Sequence, residues 1–503
     1  MVKKGTLKIS VDNILGSISP NIFGHFIEHL GRCIYPGIWV GKSSKIPNVD
    51  GLRKDVVEKF RAVNPPVIRW PGGCFADQYH WQDGIGPSEK RPRRLNIWWG
   101  GEETNEFGTD EFIKFCRYVN AEPYICVNVG SGSPAEAAAW LEYCNYAGKS
   151  EYSDLRSKNG SKDPYGVKYW GVGNENWGCG GSFDPVYYAW EYRRFATYLK
   201  KIDPSVQLIA CGHISRDWNY KFMENLRNHI NLIDHLSIHY YFPKFGGDTN
   251  FTEEDYFNLM LDVQNLEYQI QQAINVVEYF AEGRKDIGVV VDEWGTWHPQ
   301  ATVETGLYQQ NTLRDALLAG AVLNLFTKYC RKVVMANLAQ TVNVLQSLFL
   351  TRGEQTIVTP TYHVFALYKE HMGNYALKVN YESPVVKELP RIEERHQRFK
   401  SERIKPLQAL DASASLSKDG GQIILTLLNQ SLEDLEVAIS LTGGKEVAET
   451  RLSVLTADNL QDHNDFHSPD KVSPREEKIK ARGHTFDYTA PKHSVSRLIL
   501  YLS

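Results

Sequence analysis

The sequence predicts an α/β protein: a (β/α)8 TIM barrel followed by an all-β sandwich of jelly-roll-like type. Three observations predict it. Between about residues 20 and 375, eight short apolar or β-branched runs alternate with eight longer stretches of helical spacing. No Gly-x-Gly-x-x-Gly follows the first run, and eight comparable units favour closure over an open doubly wound sheet. Beyond about residue 375 the helical period stops, leaving short strand-like runs separated by turn signals.

In chain order the barrel strands are expected at 22–25, 67–70, 123–128, 168–172, 207–211, 235–239, 287–292 and 332–337. Helices are expected at 52–63, 110–119, 134–147, 185–201, 222–228, 253–281, 308–329 and 360–372. Pro134 and Pro360 suit a first helical turn, with Ser133 and Thr359 as N-caps. Sandwich strands are expected at 376–381, 407–416, 422–428, 435–441, 446–455, 476–481 and 495–502, with turns at 418–421 and 442–444. Leu7, Ile9 and Val11 alternate with polar residues and read as one more strand of that sheet. The expected division is an N-terminal strand segment 1–17 joining the sandwich, a catalytic barrel 18–375, and the sandwich 376–503. A charge-dense, glycine-free stretch at 388–405 reads as a solvated loop or insertion.

Composition narrows the function. The 503 residues are 42% hydrophobic and 23% charged, and 56 basic against 60 acidic side chains give a net charge of −4. That balance, with a pI near 6.4, offers no basic surface for a phosphate backbone, so nucleic acid is not the expected partner. Mean hydropathy is −0.39, and the apolar run 317–326 is about half the roughly 20 residues a membrane span needs, so it reads as a buried helix. The N-terminus lacks the apolar core of an export signal. Cys33, Cys74, Cys116, Cys126, Cys144, Cys179, Cys211 and Cys330 are scattered, with no Cys-x-x-Cys and no close Cys/His spacing. A cytoplasmic, reduced protein without a zinc cage is therefore expected.

In such a barrel, function sits at the C-terminal ends of the strands. Strand one is followed by Glu28 and His29; strand two contains Arg69 and runs into Trp70-Pro-Gly-Gly-Cys74. Strand four ends in Asn174-Glu175-Asn176-Trp177, strand six in His239-Tyr-Tyr241, and strand seven in Asp292-Glu-Trp-Gly295. Strand eight leads to Asn337, Gln340, Asn343 and Gln346. Glu175 and Glu293 thus end strands three positions apart, each within two residues of a tryptophan. Two carboxyls facing one pocket suit glycosidic cleavage, one protonated to donate to the leaving oxygen and one ionised at the anomeric centre. Arg69 is the cation available to keep the second ionised. Most strand-end glutamates are merely exposed or salt-bridged, so spacing alone leaves the pair open. Asp292 competes with Glu293, but adjacent strand residues point to opposite faces, and Glu293 lies nearer the strand's end.

The motifs Asn21-Ile-Phe-Gly-His-Phe-Ile-Glu-His29, Arg69-Trp-Pro-Gly-Gly-Cys74, Tyr169-Trp-Gly-Val-Gly-Asn-Glu-Asn-Trp-Gly178, Asp292-Glu-Trp-Gly-Thr-Trp297 and Met335-Ala-Asn-Leu-Ala-Gln-Thr-Val-Asn-Val-Leu-Gln346 occur in that order. Together they resemble the α-L-arabinofuranosidases of glycoside hydrolase family 51, over the whole barrel and into the terminal sheet. The resemblance implies Glu175 as general acid/base and Glu293 as nucleophile of a retaining, exo-acting enzyme. It implies Asn174 at the sugar 2-hydroxyl, although a plain turn residue would also fit there. It implies Glu28 as an acceptor for furanose hydroxyls, against an i,i+4 pairing with Arg32. Cys74 would face the pocket floor or be a small buried thiol. Arg69 and Tyr241 would orient Glu293, with Tyr240 as the alternative tyrosine. Gln346 would reach the sugar, with Gln340 and Asn343 as alternatives. Trp297, and Trp98 or Trp99, would stack on sugar or pack in the core. His239 is expected to orient the nucleophile from behind rather than bind metal.

The resemblance also implies arabinoxylo- or arabino-oligosaccharide substrates, no metal or organic cofactor, no membrane, and a homo-oligomer, commonly a hexamer. The sequence departs from the family at 298–301, which bears on the outer subsites, and at 388–405, which bears on the oligomer surface. The competing readings are a retaining glycosidase of other specificity, such as a β-xylosidase or endoglucanase, and an inactive carbohydrate-binding barrel.

Overall fold

The computed structural model describes residues 3–389 and 404–503. Most of the charged 388–405 stretch lies outside the described residues. Eight parallel strands close into a barrel in chain order: Gly24–Phe26, Val67–Trp70, Glu122–Val127, Tyr169–Val172, Gln207–Ala210, His235–Phe242, Gly288–Thr296 and Val333–Ala339. Strand one fits between its neighbours because it starts on glycine. A β-carbon on Gly24 would meet Asn337 Oδ1 at 2.4 Å and Val67 Cγ1 at 2.6 Å.

Strand alternation sets the barrel's layers. Val67, Tyr124, Tyr169, Ile209, Val290 and Met335 form a plug inside the barrel. The residues between them, such as Ile68, Trp70, Ile125, Trp170 and Val291, join the larger core against the surrounding helices. One of the breaks in the alternation bears on the site. Ile238 pairs with Val291 and His239 with Glu293, so Asp292 is the extra residue of a bulge.

The helices follow the expected spacing with several differences: Glu151–Lys158 is a helix the spacing does not suggest, and the one expected at 308–329 begins only at Leu313. The stretch expected as one helix over 253–281 is two, Glu253–Leu261 and Val263–Ala281, meeting at buried Asp262, whose carboxylate accepts from Tyr240 and Asn265. The helix expected at 222–228 starts earlier, as Arg216–Asn225. Ser133 caps its helix by accepting from Glu136 N, whereas the Thr359 hydroxyl donates instead to Ser347 O.

The second sheet has nine strands, and the N-terminal strand Lys3–Ser17 lies inside it. It runs antiparallel to Tyr375–Glu382 and parallel to Leu435–Thr442. Hydrogen bonding is continuous through all nine strands, and their inward side chains share one core. Thr485–Ala490 is a strand that the sequence pattern did not suggest, its inward positions being few and its outward ones polar.

The helix Leu313–Lys328 lies between the two sheets, buried almost all round, which accounts for the apolar run within it. Its Asn324 amide oxygen accepts from Tyr368, Ser413 and Thr426 hydroxyls, and its nitrogen donates to Asp411. Asn324→Leu would strand several buried polar groups at once, each costing about 1–3 kcal/mol. The variant is expected to unfold at clearly lower denaturant concentration than the parent; an unchanged midpoint would show that this junction contributes little.

Candidate active site

The catalytic mouth is built one layer above the apolar plug. Arg69, fully buried on strand two, spreads its guanidinium over two neighbouring acids and an amide. It donates to Glu293 Oε1 at 2.7 Å and to Asn174 Oδ1 at 2.6 Å, and its Nε lies 3.4 Å from Asp292 Oδ2. Tyr124 and Asn337 complete the hydrogen bonding of Asp292. The bulge therefore corrects the expectation that only one of Asp292 and Glu293 can face inward: both contact Arg69, with Asp292 below and Glu293 above.

The Tyr241 hydroxyl donates to Glu293 Oε2 at 2.6 Å, while Tyr240 points outward to Asp262. Burial by itself would raise the Glu293 carboxyl. His239, Arg69 and the Tyr241 hydroxyl outweigh it and hold the group below the ordinary carboxylate range. His239 does not serve Glu293 alone: its Nδ1 lies 2.9 Å from Glu175 Oε1 and 3.6 Å from Glu293 Oε1. Burial opposes its protonation, yet Glu293 and the bond to Glu175 raise the imidazole above its usual value. One donor atom from each of Glu175, His239 and Glu293 lies within 4.8 Å of the others. These three could in principle ligate a cation, but their arrangement is equally that of two carboxyls sharing one reacting centre.

Glu175 sits on a loop with unusual backbone. Its φ is +41°, a left-handed value that a non-glycine residue holds only when its surroundings enforce it. The carbonyl of Glu175 accepts from Gly178 N at 2.7 Å and Gly180 N at 3.1 Å. Across the pocket, Glu28 accepts from Phe75 N, Trp99 Nε1 and Gln340 Nε2. Burial, and then the Glu293 charge, push its carboxyl up to about 7. Backbone glycines make the floor. A β-carbon on Gly73 would lie 2.9 Å from Glu293 Oε1, and one on Gly72 only 2.6 Å from Glu28 Cγ. Trp297 stands edge-on to Tyr241 and donates to Ala301 O.

Two family models match the chain, an α-L-arabinofuranosidase 1 domain over residues 59–258 and an α-L-arabinofuranosidase C-terminal domain over residues 292–494. It is 40% identical to an intracellular exo-α-L-arabinofuranosidase of Bacteroides ovatus, covering 99% of this chain and 96% of that one. The chain belongs to the α-L-arabinofuranosidase family, glycoside hydrolase family 51. Among solved structures, the family 51 arabinofuranosidase of Xanthomonas axonopodis pv. citri superposes with a TM-score of 0.89 at 36% identity, covering 99% of this chain and 100% of that one. The Thermotoga maritima α-L-arabinofuranosidase in its arabinose complex does so with 0.88 at 34% identity, covering 99% and 100%.

For this family 51 chain the structure corrects the expectations for Cys74 and Gln346 and decides between several alternatives. Cys74 is not a thiol: it is bonded to Cys179, 105 residues on, so the chain is not fully reduced. No local spacing marks that pair; it forms because the loops after strands two and four meet beside Glu175, with Cys179 Sγ 3.7 Å from Glu175 Oε2. Gln346 does not line the pocket, since its amide is consumed by Thr296 N, Asp315 O and Thr361. Gln340 is the glutamine at Glu28, and Asn343 is turned to Arg32 O and Thr351. Trp99 rather than Trp98 reaches the site, Trp98 being 37% exposed. Arg32 donates to Thr351 O and leaves Glu28 unpaired by any i,i+4 bridge. In the 298–301 segment, His298 is buried against Asp315 at 2.8 Å and anchors the loop.

Two measurements follow. Titration of thiols in denatured, unreduced protein is expected to find six per chain, matching the six unpaired cysteines; a count of all eight would show that the bridge is not formed. Tyr241→Phe removes a donor that lowers the Glu293 carboxyl, so the acid limb of the pH profile of kcat/KM is expected to move to higher pH. The rate at the optimum should fall about 10- to 100-fold, the equivalent of one hydrogen bond to a charged group.

Proposed function

We propose that this enzyme is a retaining, exo-acting α-L-arabinofuranosidase that removes terminal arabinofuranosyl units from arabinoxylo- or arabino-oligosaccharides. The observation that carries the reading is the approach of Glu175 and Glu293 to within 4.8 Å around one pocket, compatible with the carboxyl spacing of about 5 to 5.5 Å that double displacement uses. The opposed environments of the two acids support the division of labour. Glu293 is held as an anion by Arg69, Tyr241 and His239. Glu175 stands at the mouth with about 20% of its side chain exposed and with His239 as its hydrogen-bond partner.

In the first step the Glu175 carboxyl gives its proton to the glycosidic oxygen while a Glu293 oxygen attacks the anomeric carbon. The glycosidic bond breaks and a glycosyl-enzyme ester forms. In the second step Glu175, now an anion, takes a proton from water, whose oxygen displaces Glu293 and releases arabinose. His239, hydrogen-bonded to Glu175 and close to Glu293, couples the charges of the two acids through both steps. The Asn174 nitrogen, its oxygen fixed by Arg69, is available to the sugar 2-hydroxyl. Glu28 and Trp99, joined by a hydrogen bond, are placed to hold and cover the ring. The name of the Bacteroides ovatus relative supports an intracellular setting. No described helix is long and apolar enough to cross a membrane. A catalytic barrel over 18–375, a sheet unit built from the remaining segments, and a homo-oligomeric assembly belong to the same proposal.

Glu293→Ala is expected to lose activity on every arabinofuranoside by on the order of 10⁴-fold or more. Glu175→Ala should keep the first step on substrates with good leaving groups, then stall as a covalent intermediate that azide releases. Mass spectrometry of trapped protein reads the ester directly. Absence of both ester and azide rescue would remove the assigned roles.

A further inference from the structure

Asp77 is a buried carboxylate, only 4% exposed, that forms no ion pair among the described residues. Its three short bonds go to backbone. Oδ1 accepts from Val129 N at 2.7 Å and from Gly130 N at 2.8 Å. Oδ2 accepts from Asn174 N at 2.8 Å, with Asn176 Nδ2 at 3.5 Å. Asp77 itself lies in the 3-10 turn Cys74–Gln78 that follows strand two. One side chain therefore ties together the loops after strands two, three and four.

The third of those loops carries Glu175, the very next residue after Asn174, in a left-handed conformation that must be enforced from outside. The loop also folds back over the clamp. A β-carbon on Gly180 would meet Asp77 Oδ2 at 2.4 Å and Asn174 O at 2.0 Å, so the carboxylate and the returning backbone are in direct contact. Arg69 fixes only the Asn174 side chain; the main-chain N–H that sets the direction of Glu175 is held by Asp77.

We propose that Asp77 is a positioning residue for acid/base catalysis: its carboxylate fixes the backbone at Asn174 and thereby aims Glu175 at the glycosidic oxygen. The inference rests on the reading of Glu175 as the general acid/base and adds the group that aligns it. An amide cannot replace the carboxylate, because at least one of its atoms would present N–H to a backbone N–H. Burial pushes the Asp77 carboxyl up to about 7 against the three backbone bonds, a cost consistent with a group retained for geometry.

The test is kcat/KM, which reports the glycosylation step, for a series of aryl α-L-arabinofuranosides running from dinitrophenyl to phenyl. Asp77→Asn is expected to lose about threefold or less on the dinitrophenyl substrate and about 30- to 100-fold on the phenyl one, because only the poor leaving group needs the acid. Asp77→Glu, which keeps the charge and displaces it by one methylene, should show the same steepened dependence. Glu175→Ala is the reference. If it loses rate evenly across the series, the acid/base reading itself fails. If it shows the leaving-group dependence while folded Asp77 variants lose rate evenly, or not at all, the positioning role is overturned. If neither Asp77 variant folds, by circular dichroism and thermal melting, Asp77 is a stability residue and the role is overturned as well.

Discussion

The charge of one buried guanidinium organises the mouth of this barrel. Arg69 is surrounded by Asp292, Glu293 and Asn174, with the rings of Phe26 and Tyr124 against it. A cation so placed would be prohibitively desolvated without its acids, and the acids without it; removing one partner from such a cluster is far more damaging than the cluster is stabilising. The planar fork of arginine matters because its nitrogens address different strands at once, which a point-charge lysine could not do. The same contacts that let charge exist at this depth hold Glu293 ionised and turn the Asn174 amide toward the pocket. Folding and reactivity are thus set by a single group.

Around that group, the loops contribute unequally. Strand seven supplies two acids at successive positions only because a bulge suspends the alternation of the strand, stacking Asp292 against Tyr124 and Asn337 while Glu293 rises to the rim. Strands two and four are joined above it by a covalent bridge between Cys74 and Cys179 and by Asp77 below. A cross-link closing a loop of about 100 residues disfavours the unfolded chain by about 4 to 5 kcal/mol in the chain-entropy picture. Gly72 and Gly73 let the backbone itself form the floor, where any side chain would displace a carboxylate.

Periodicity made the architecture legible. Each barrel strand lies where a short β-branched run was read, within a few residues at its ends, and the apolar run 317–326 is indeed a buried helix. What stayed hidden depended on contacts that have no local spacing. Cys74 and Cys179 are 105 residues apart and look like stray thiols in one dimension. Asp77 has no motif around it, since backbone N–H groups leave no mark in a sequence. Asp292 and Glu293 look like rivals in one dimension because strand alternation forbids both from facing inward, and nothing in the composition announces a bulge. Gln340 and Gln346 are both glutamines near one strand end, and only the path of the turn between them decides which amide meets Glu28. The break at Asp262 was hidden for the opposite reason: the helical pattern continues straight across it.

The place of the first strand has a consequence for how the molecule is made. Lys3–Ser17 is an interior member of the second sheet, bonded on one side to a strand that begins at Leu435; Lys4 and Glu436, 432 residues apart, face each other across that seam. A ribosome therefore releases an unpaired, alternating apolar strand long before its parallel partner exists. The barrel can close while synthesis continues, but this sheet must assemble late, after a large loop closure and with an exposed edge waiting meanwhile. Conditions that slow the end of translation should therefore favour aggregation through the N-terminal strand rather than through the barrel.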